Sequence, residues 1–319
     1  SSSRGLGDVY KRQTKNFMRP LGDMNIIQIE VTNACYLKCA NCTRHVGHHK
    51  KTFFMDLDYI EKAIDSLEGF NGNIGMMGGD PTLHPKFPEI CKIYQKKIPN
   101  RRKREFWTSG FKWREYQDVI LETFDKDRIA YNEHSTPGGK HTPLLVSIDE
   151  VVEDKKLMWE MIDNCWIQSQ WSAAITPKGG FFCEVAASLD YLFEGPGGYE
   201  IKPGWWKKEP KDFQDQVKRY CVDCSGALPM KEESDGFGGR KGPAYDTVSP
   251  KNLDKLLKVN SPKARAGHVK IFNEKINEKK IMENSENWNP SHFKPFVTHS
   301  PQDYINKEKQ VDPKKSGKI

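Results

Sequence analysis

The segment Cys35-Tyr-Leu-Lys-Cys39-Ala-Asn-Cys42 puts three thiols within eight residues. It follows Asn25-Ile-Ile-Gln-Ile-Glu-Val-Thr32, whose alternation and β-branched content predict a strand. Cysteines spaced three and then two residues apart let a loop leaving a strand end curl around a compact metal centre. Thiolates are soft ligands that suit iron–sulfur clusters or zinc. A closed centre takes four protein ligands, whereas this loop supplies three. Either a fourth ligand arrives from elsewhere, or one metal position stays open to a substrate.

The chain beyond the loop repeats a strand-then-helix pattern. Residues 56–67 carry Leu57, Ile60, Ala63, Ile64 and Leu67 at helical spacing behind Asp56, a candidate N-cap. Residues 73–77 read as a short buried strand that ends in Gly78-Gly79-Asp80-Pro81. A glycine pair at a strand end admits close approach to the backbone, and an acid there can accept from a cationic amine. Helices are expected over residues 87–98, 113–124 and 149–162, and strands over 105–110, 128–134 and 144–148. This alternation predicts a parallel sheet with crossover helices.

The C-x3-C-x2-C loop, with Gly-Gly-Asp-Pro one strand–helix unit later, resembles the signature of the radical S-adenosylmethionine (SAM) superfamily. The resemblance implies a partial (β/α) barrel with its active site at the carboxyl ends of the strands. It implies that Cys35, Cys39 and Cys42 hold a [4Fe–4S] cluster whose fourth iron chelates SAM through its amino and carboxylate groups. By the same resemblance, Gly78, Gly79, Asp80 and Pro81 contact the SAM amino group. Aspartate replaces the family's glutamate, which shortens the reach by one methylene and keeps the charge. Thr108 and Ser109, at the third strand end, match polar residues near the SAM ribose; a plain Ser-Gly turn is the competing reading. Asn41 stands where the family usually has an aromatic residue, which weakens the adenine contact expected there.

A second cysteine set follows. Residues 169–176 can form a strand and Pro177-Lys-Gly-Gly180 a hairpin turn, which would bring Cys165 and Cys183 close together. Cys221-Val-Asp-Cys224 adds two thiols at a spacing that fits one centre. Four thiols point to a fully ligated site, either structural zinc or a cluster. The pattern resembles the SPASM/Twitch extension of radical SAM enzymes. The cysteine number fits the shorter Twitch type with one auxiliary [4Fe–4S] cluster, although the glycine-to-cysteine distance is slightly shorter than usual. Cys91, at a core-facing helix position, reads as an ordinary buried thiol.

Seven of the eight cysteines fall in these groupings, and no export signal is evident, so reduced thiols in a cytoplasmic protein are expected. No apolar run approaches the about 20 residues needed to span a membrane. The net charge is +7, and residues 92–104 hold seven Lys/Arg and no acid. That run reads as a solvated helix end or as an attractor for a phosphate-bearing substrate. One patch falls short of what nucleic-acid binding requires. His45, His48 and His49 read as an exposed loop or as aids to the cluster. Trp205 and Trp206 are expected to wall a substrate pocket or, as the favoured reading, to pack at a domain junction, residues 231–241 to form a mobile loop, and residues beyond 273 to wrap the surface or be partly disordered. The expected organisation is a leader remnant (1–20), a barrel (21–163), an auxiliary-cluster domain (164–240) and a charged C-terminal extension (241–319).

These features predict an enzyme that reductively cleaves SAM and uses the resulting 5′-deoxyadenosyl radical to take a hydrogen atom from an unactivated C–H bond. A second, fully ligated cluster favours two-electron oxidation of a small polar substrate, sugar- or nucleotide-like, as in the Twitch-type dehydrogenases of sugar alcohols. The base would come from His134, His141 or Glu184, and the electrons from a reductant such as flavodoxin or ferredoxin. The competing readings are a SPASM-type maturase of a ribosomal peptide, an epimerase and a non-catalytic zinc-binding interaction protein. The maturase is disfavoured because no leader-binding module is seen before the barrel, and the epimerase because only Cys91 is spare as a hydrogen donor.

Overall fold

The structure is a computed structural model that describes residues 18–132, 134 and 139–286. Its first half runs β1 (Ile26–Thr32), α1 (Leu57–Asp65), β2 (Asn73–Gly78), α2 (Phe87–Lys97), β3 (Arg104–Thr108), α3 (Trp113–Thr123), β4 (Ile129–Tyr131) and β5 (Lys140–His141). There follow α4 (Ile148–Val151), α5 (Lys155–Asp163), α6 (Trp166–Gln170), β6 (Ala173–Thr176), β7 (Gly179–Phe181), α7 (Glu184–Leu192) and α8 (Gln214–Tyr220). The last elements are β8 (Glu233–Ser234), β9 (Asp246–Val248), α9 (Pro250–Lys258), α10 (Pro262–Arg265), β10 (Val269–Ile271) and α11 (Glu278–Glu286).

The central sheet has the order β4-β3-β2-β1-β6-β7 and is parallel except for β7. Each step from β1 to β4 moves one strand along in the same direction, so right-handed crossovers lay α1, α2 and α3 on one face. The sheet stays open, with β4 and β7 as its edges. β1 is buried along its whole length because both faces are covered. Alternation sends Ile27, Ile29 and Val31 to one face and Ile26, Gln28, Glu30 and Thr32 to the other. α1 turns Ile60, Ala63 and Ile64 inward, and α2 does so with Phe87, Ile90, Cys91, Ile93 and Tyr94. Cys91 is thus the buried core thiol that its helical position predicted.

The sheet continues past residue 163. β6 pairs with β1, Gln28 opposite Ala174, so a strand from beyond Cys165 completes it. That strand is shorter than the expected 169–176 because residues 166–170 turn helical, and Trp166 packs edge-on to Trp171 at 5.1 Å. Trp205 and Trp206 close the seam between this hairpin and α1. Trp205 Nε1 donates to Ser66 Oγ at 3.1 Å, and Trp206 meets Phe70 edge-on at 5.5 Å.

Several local expectations change. The helix expected over 149–162 is split into α4 and α5, because the Asp154 carboxylate caps the N–H groups of Lys156 and Leu157. Leu145 bridges to Val248 instead of joining the central sheet. Two residues of the basic run cap helix ends, while Lys97 and Arg102 pair with acids. Buried Arg104 donates to the carbonyls of Ile98, Thr123 and Gln95, and Arg101 to those of Leu121 and Phe124. Arg104 opens β3, so the run sits at the amino ends of the strands, opposite the cysteine loop. Residues 231–241 are packed rather than free: the Gly238 carbonyl accepts from Lys38 N–H at 2.9 Å and the Asp235 carbonyl from Ala40 N–H at 2.8 Å. The chain past 273 keeps Ile276 and Ile281 buried; residues 1–17 and 287–319 lie outside the described residues. Among the described residues, no helix is long and apolar enough to cross a membrane.

Candidate active site

The cysteine loop begins where β1 ends, and the glycine pair grips that exit. Gly79 N–H donates to the Thr32 carbonyl at 2.8 Å and Asp80 N–H to the Ala34 carbonyl at 2.7 Å. A β-carbon on Gly78 would overlap the Thr32 carbonyl oxygen, and one on Gly79 would overlap that of Ala34. The glycines are therefore needed for backbone-on-backbone packing beside Cys35. Asp80 is fully buried. Its Oδ1 accepts from Thr82 N–H at 3.1 Å and the Thr82 hydroxyl at 2.7 Å. Its Oδ2 accepts from Ser109 N–H at 3.0 Å and the Ser109 hydroxyl, with the Thr108 hydroxyl near both oxygens. Burial pushes this carboxyl upward while those donors pull it down. Asp80, Thr108 and Ser109 thus meet as a brace joining the exits of β2 and β3. For Asp80 to take the expected cationic amine, one of these donors would have to let go.

Asn41 turns its side-chain oxygen toward β9. Its φ of 51° is left-handed, a conformation that asparagine tolerates better than bulky aromatics. Its Oδ1 accepts from Thr247 N–H at 2.9 Å and its own N–H donates to Asp246, which ties the loop to β9. The aromatic surface of the loop is Tyr36, stacked on Phe111 with centroids 4.4 Å apart and Arg240 at 5.7 Å from its ring. The histidines are not an exposed loop. His45 and His48 are buried, His45 against Ser188 Oγ at 2.7 Å and His48 against Asp246.

All eight cysteines are free thiols. Burial pushes the Cys39 thiol up, and the proximity of Cys42 and Cys35 pushes it further. Burial and the nearby Asp80 do the same to Cys35. A bound cation would relieve both penalties. A single tetrahedral zinc, with bonds of about 2.3 Å, needs sulfurs roughly 3.8 Å apart. Among the described residues, the group whose donor atoms all lie within 4.8 Å of one another is Cys39, His134 and Asp235; the three loop sulfurs do not form such a group. Cys165, Cys183, Cys221 and Cys224 line one small cavity, brought there by the starts of α6 and α7 and the end of α8. Burial raises each of these thiols, Cys183 to about 12.

A cavity of about 860 Å³ occupies the other face of the sheet. Gln28, Met77, Glu105 and Trp107 line it from three adjacent strands, and Thr43 and His141 carry it up to the cysteine loop. His141 donates from Nδ1 to the Ala40 carbonyl at 2.7 Å, and burial holds its pKa down at about 4. Glu184, the residue after Cys183, also lines the cavity. Ser172 donates to its carboxylate, and Arg44 sits 3.2 Å from Oε1 while also pairing with Glu30. Of the three candidate bases, the cavity takes His141 and Glu184. His134 lies outside its lining, 2.7 Å from Asp235 Oδ2.

Glu105 escaped the sequence reading. Its Oε1 accepts from Trp107 Nε1 at 2.6 Å and its Oε2 from Asn73 Nδ2 at 3.2 Å, and burial pushes it to about 7. Nearby, the buried Gln28 Oε1 has no hydrogen-bond partner among the described residues. The available signal was polar side chains at alternate positions of buried strands, Gln28 and Glu30 on β1 and Glu105 on β3.

The architecture is an open, mainly parallel α/β sheet with a three-thiol loop at its first strand exit and a polar cavity on one face. Residues 29–135 match the Radical SAM superfamily. That match supports an enzyme that uses SAM and a [4Fe–4S] cluster, for which the three loop thiols are a fitting donor set. The chain is similar to the GTP 3′,8-cyclase of Chlorobaculum tepidum, with 36% identity over 73 residues, 22% of this chain. The match spans only 21% of that relative's length. The crystal structure of BtrN with AdoMet and 2-DOIA is 18% identical with a TM-score of 0.42, covering 63% of this chain and 88% of BtrN. An open conformation of BtrN is 17% identical with a TM-score of 0.40, covering 67% and 97%.

Proposed function

We propose that this enzyme oxidises a small, hydroxyl-bearing, sugar- or nucleotide-like substrate by two electrons in the cavity beneath Thr43 and His141. The observation that carries the proposal is the position of Glu184. Its carboxylate lines the cavity, while the preceding residue, Cys183, lines the four-thiol pocket. Substrate and auxiliary centre would then be neighbours. The cavity volume of about 860 Å³ is in the range of small-molecule sites and favours a compact substrate over a peptide.

In this reading Cys35, Cys39 and Cys42 hold the SAM-binding cluster, and Cys165, Cys183, Cys221 and Cys224 a Twitch-like auxiliary one. Residues 164–240 carry the auxiliary thiols, and their strands β6 and β7 also complete the central sheet. When bound, the clusters and SAM supply a 5′-deoxyadenosyl radical for hydrogen abstraction and an acceptor for the second electron. The protein supplies the rest. Gln28 Oε1 and Glu105 accept hydrogen bonds from substrate hydroxyls. His141, kept neutral by burial, or Glu184 takes the hydroxyl proton as the carbonyl forms. A flavodoxin- or ferredoxin-like protein delivers the electrons.

Iron and sulfide analysis of anaerobically prepared protein tests the cluster content. About eight irons per chain are expected for two cubane clusters, and zinc at the second thiol set would overturn the oxidase reading. Incubation with sugars, nucleotides and peptides should release 5′-deoxyadenosine together with a carbonyl product from a small polyol or nucleotide. Release with peptides alone would refute the substrate class.

A further inference from the structure

We propose that Lys263 and Asp246 form a buried charge pair that locks the cysteine loop and tunes the reduction potential of the cluster held there. Both come from the segment that the sequence presents only as a charged extension. Lys263 is 5% exposed and Asp246 2%. Lys263 Nζ donates to Asp246 Oδ1 at 2.7 Å and to the Cys39 carbonyl at 3.0 Å. The same Oδ1 accepts from Asn41 N–H. Opposite charges of one pair therefore hold the two peptide groups that flank Ala40, between the second and third cysteines. The lock is anchored further out. Asp246 Oδ2 pairs with His48 Nε2, His48 Nδ1 meets Ser261 Oγ at 2.7 Å, and Lys263 N–H donates to the Gly47 carbonyl at 3.2 Å.

Stability alone does not account for such a pair. Lysine and aspartate are rarely buried unless paired, and a buried pair adds little over a well-packed apolar one. Its placement does give it leverage. Charges buried in a low-dielectric region act at longer range than surface charges. Cluster potentials respond to nearby charge, hydrogen bonding and burial. The ammonium favours the reduced, more negative cluster, and the carboxylate opposes it. Lys263 and Asp246 are positioning residues in this scheme: they reach the cluster through the loop backbone and through their field.

The test is an anaerobic redox titration of the full chain with both clusters present, following the paramagnetic signal that responds to added SAM. Lys263→Met should shift that potential downward, and Asp246→Asn upward. Lys263→Arg, and the double variant Lys263→Met/Asp246→Asn, should stay near the wild-type value. Shifts of the single variants in the same direction, or no shift in variants that keep full iron, would overturn the proposal. If the single variants fail to retain iron, Lys263→Arg decides the matter. It keeps the charge and the donors, so it is expected to retain iron at the wild-type potential, and a displaced potential or lost iron in it refutes the proposal.

Discussion

Gly79 packs so tightly against Ala34 that a β-carbon at 79 would overlap the Ala34 carbonyl oxygen, one residue before the first cysteine of the loop. The same carbonyl accepts the Asp80 N–H at 2.7 Å. A motif that sequence reasoning assigns to ligand contact is thus first a device for setting where the thiols begin. Gly79→Ala should destabilise the fold by about 1–3 kcal/mol, the usual cost of overpacking. It should also lower iron retention, because the overlap falls on backbone that cannot rotate away. Urea denaturation and iron content per chain check the two effects separately.

Arg44 lies between two buried acids, Glu30 and Glu184, and is itself 5% exposed. Arg44→Met would strand both carboxylates in the interior. A loss of about 3–5 kcal/mol is expected, as for other buried pairs robbed of one partner. Lysine at this position should restore part of it, since one ammonium cannot reproduce the forked geometry. Equilibrium unfolding of both variants measures the difference.

Glu105 gives a pH signature. Burial raises it from 4.5 to about 7, so the native state keeps a proton that the unfolded chain gives up. Its stabilising effect is complete at pH values below its unfolded pKa and disappears as pH rises through about 7. The expected decline is on the order of 3 kcal/mol across that window. Glu105→Gln should flatten this slope, which urea midpoints collected from pH 5 to 8 would reveal. An unchanged slope would mean that Glu105 is already ionised in the fold.

The two thiol sets should separate functionally. Cys35→Ala is expected to abolish reductive SAM cleavage, whereas Cys221→Ala should leave some, because it removes a thiol from the other group. Counting 5′-deoxyadenosine released under reducing, anaerobic conditions distinguishes them. Equal losses would argue against separate roles.

Local chemistry was legible in the sequence because its parts are adjacent in the chain. The cysteine spacing, the Gly-Gly strand exit and the apolar periodicities of α1 and α2 each lie within about a dozen residues, so covalent geometry alone brings their members together. Asp80 was visible as an acid near the site, but its partners Thr108 and Ser109 come from the next strand and decide which way it faces. Asn41 was visible as a departure from an aromatic, but its tie to Thr247, more than 200 residues away, was not.

The sequence by itself determined the class of chemistry and the strand–helix alternation that supports it. Soft ligands at fixed spacing and hydrophobic period are properties of neighbouring residues. Only the tertiary structure decided that β6 would lie beside β1, that Glu105 would face a cavity rather than water, and that Lys263 would meet Asp246 beneath the cysteine loop. An ionisable side chain looks solvated in a sequence until burial removes its water, and burial depends on which distant segments pack around it.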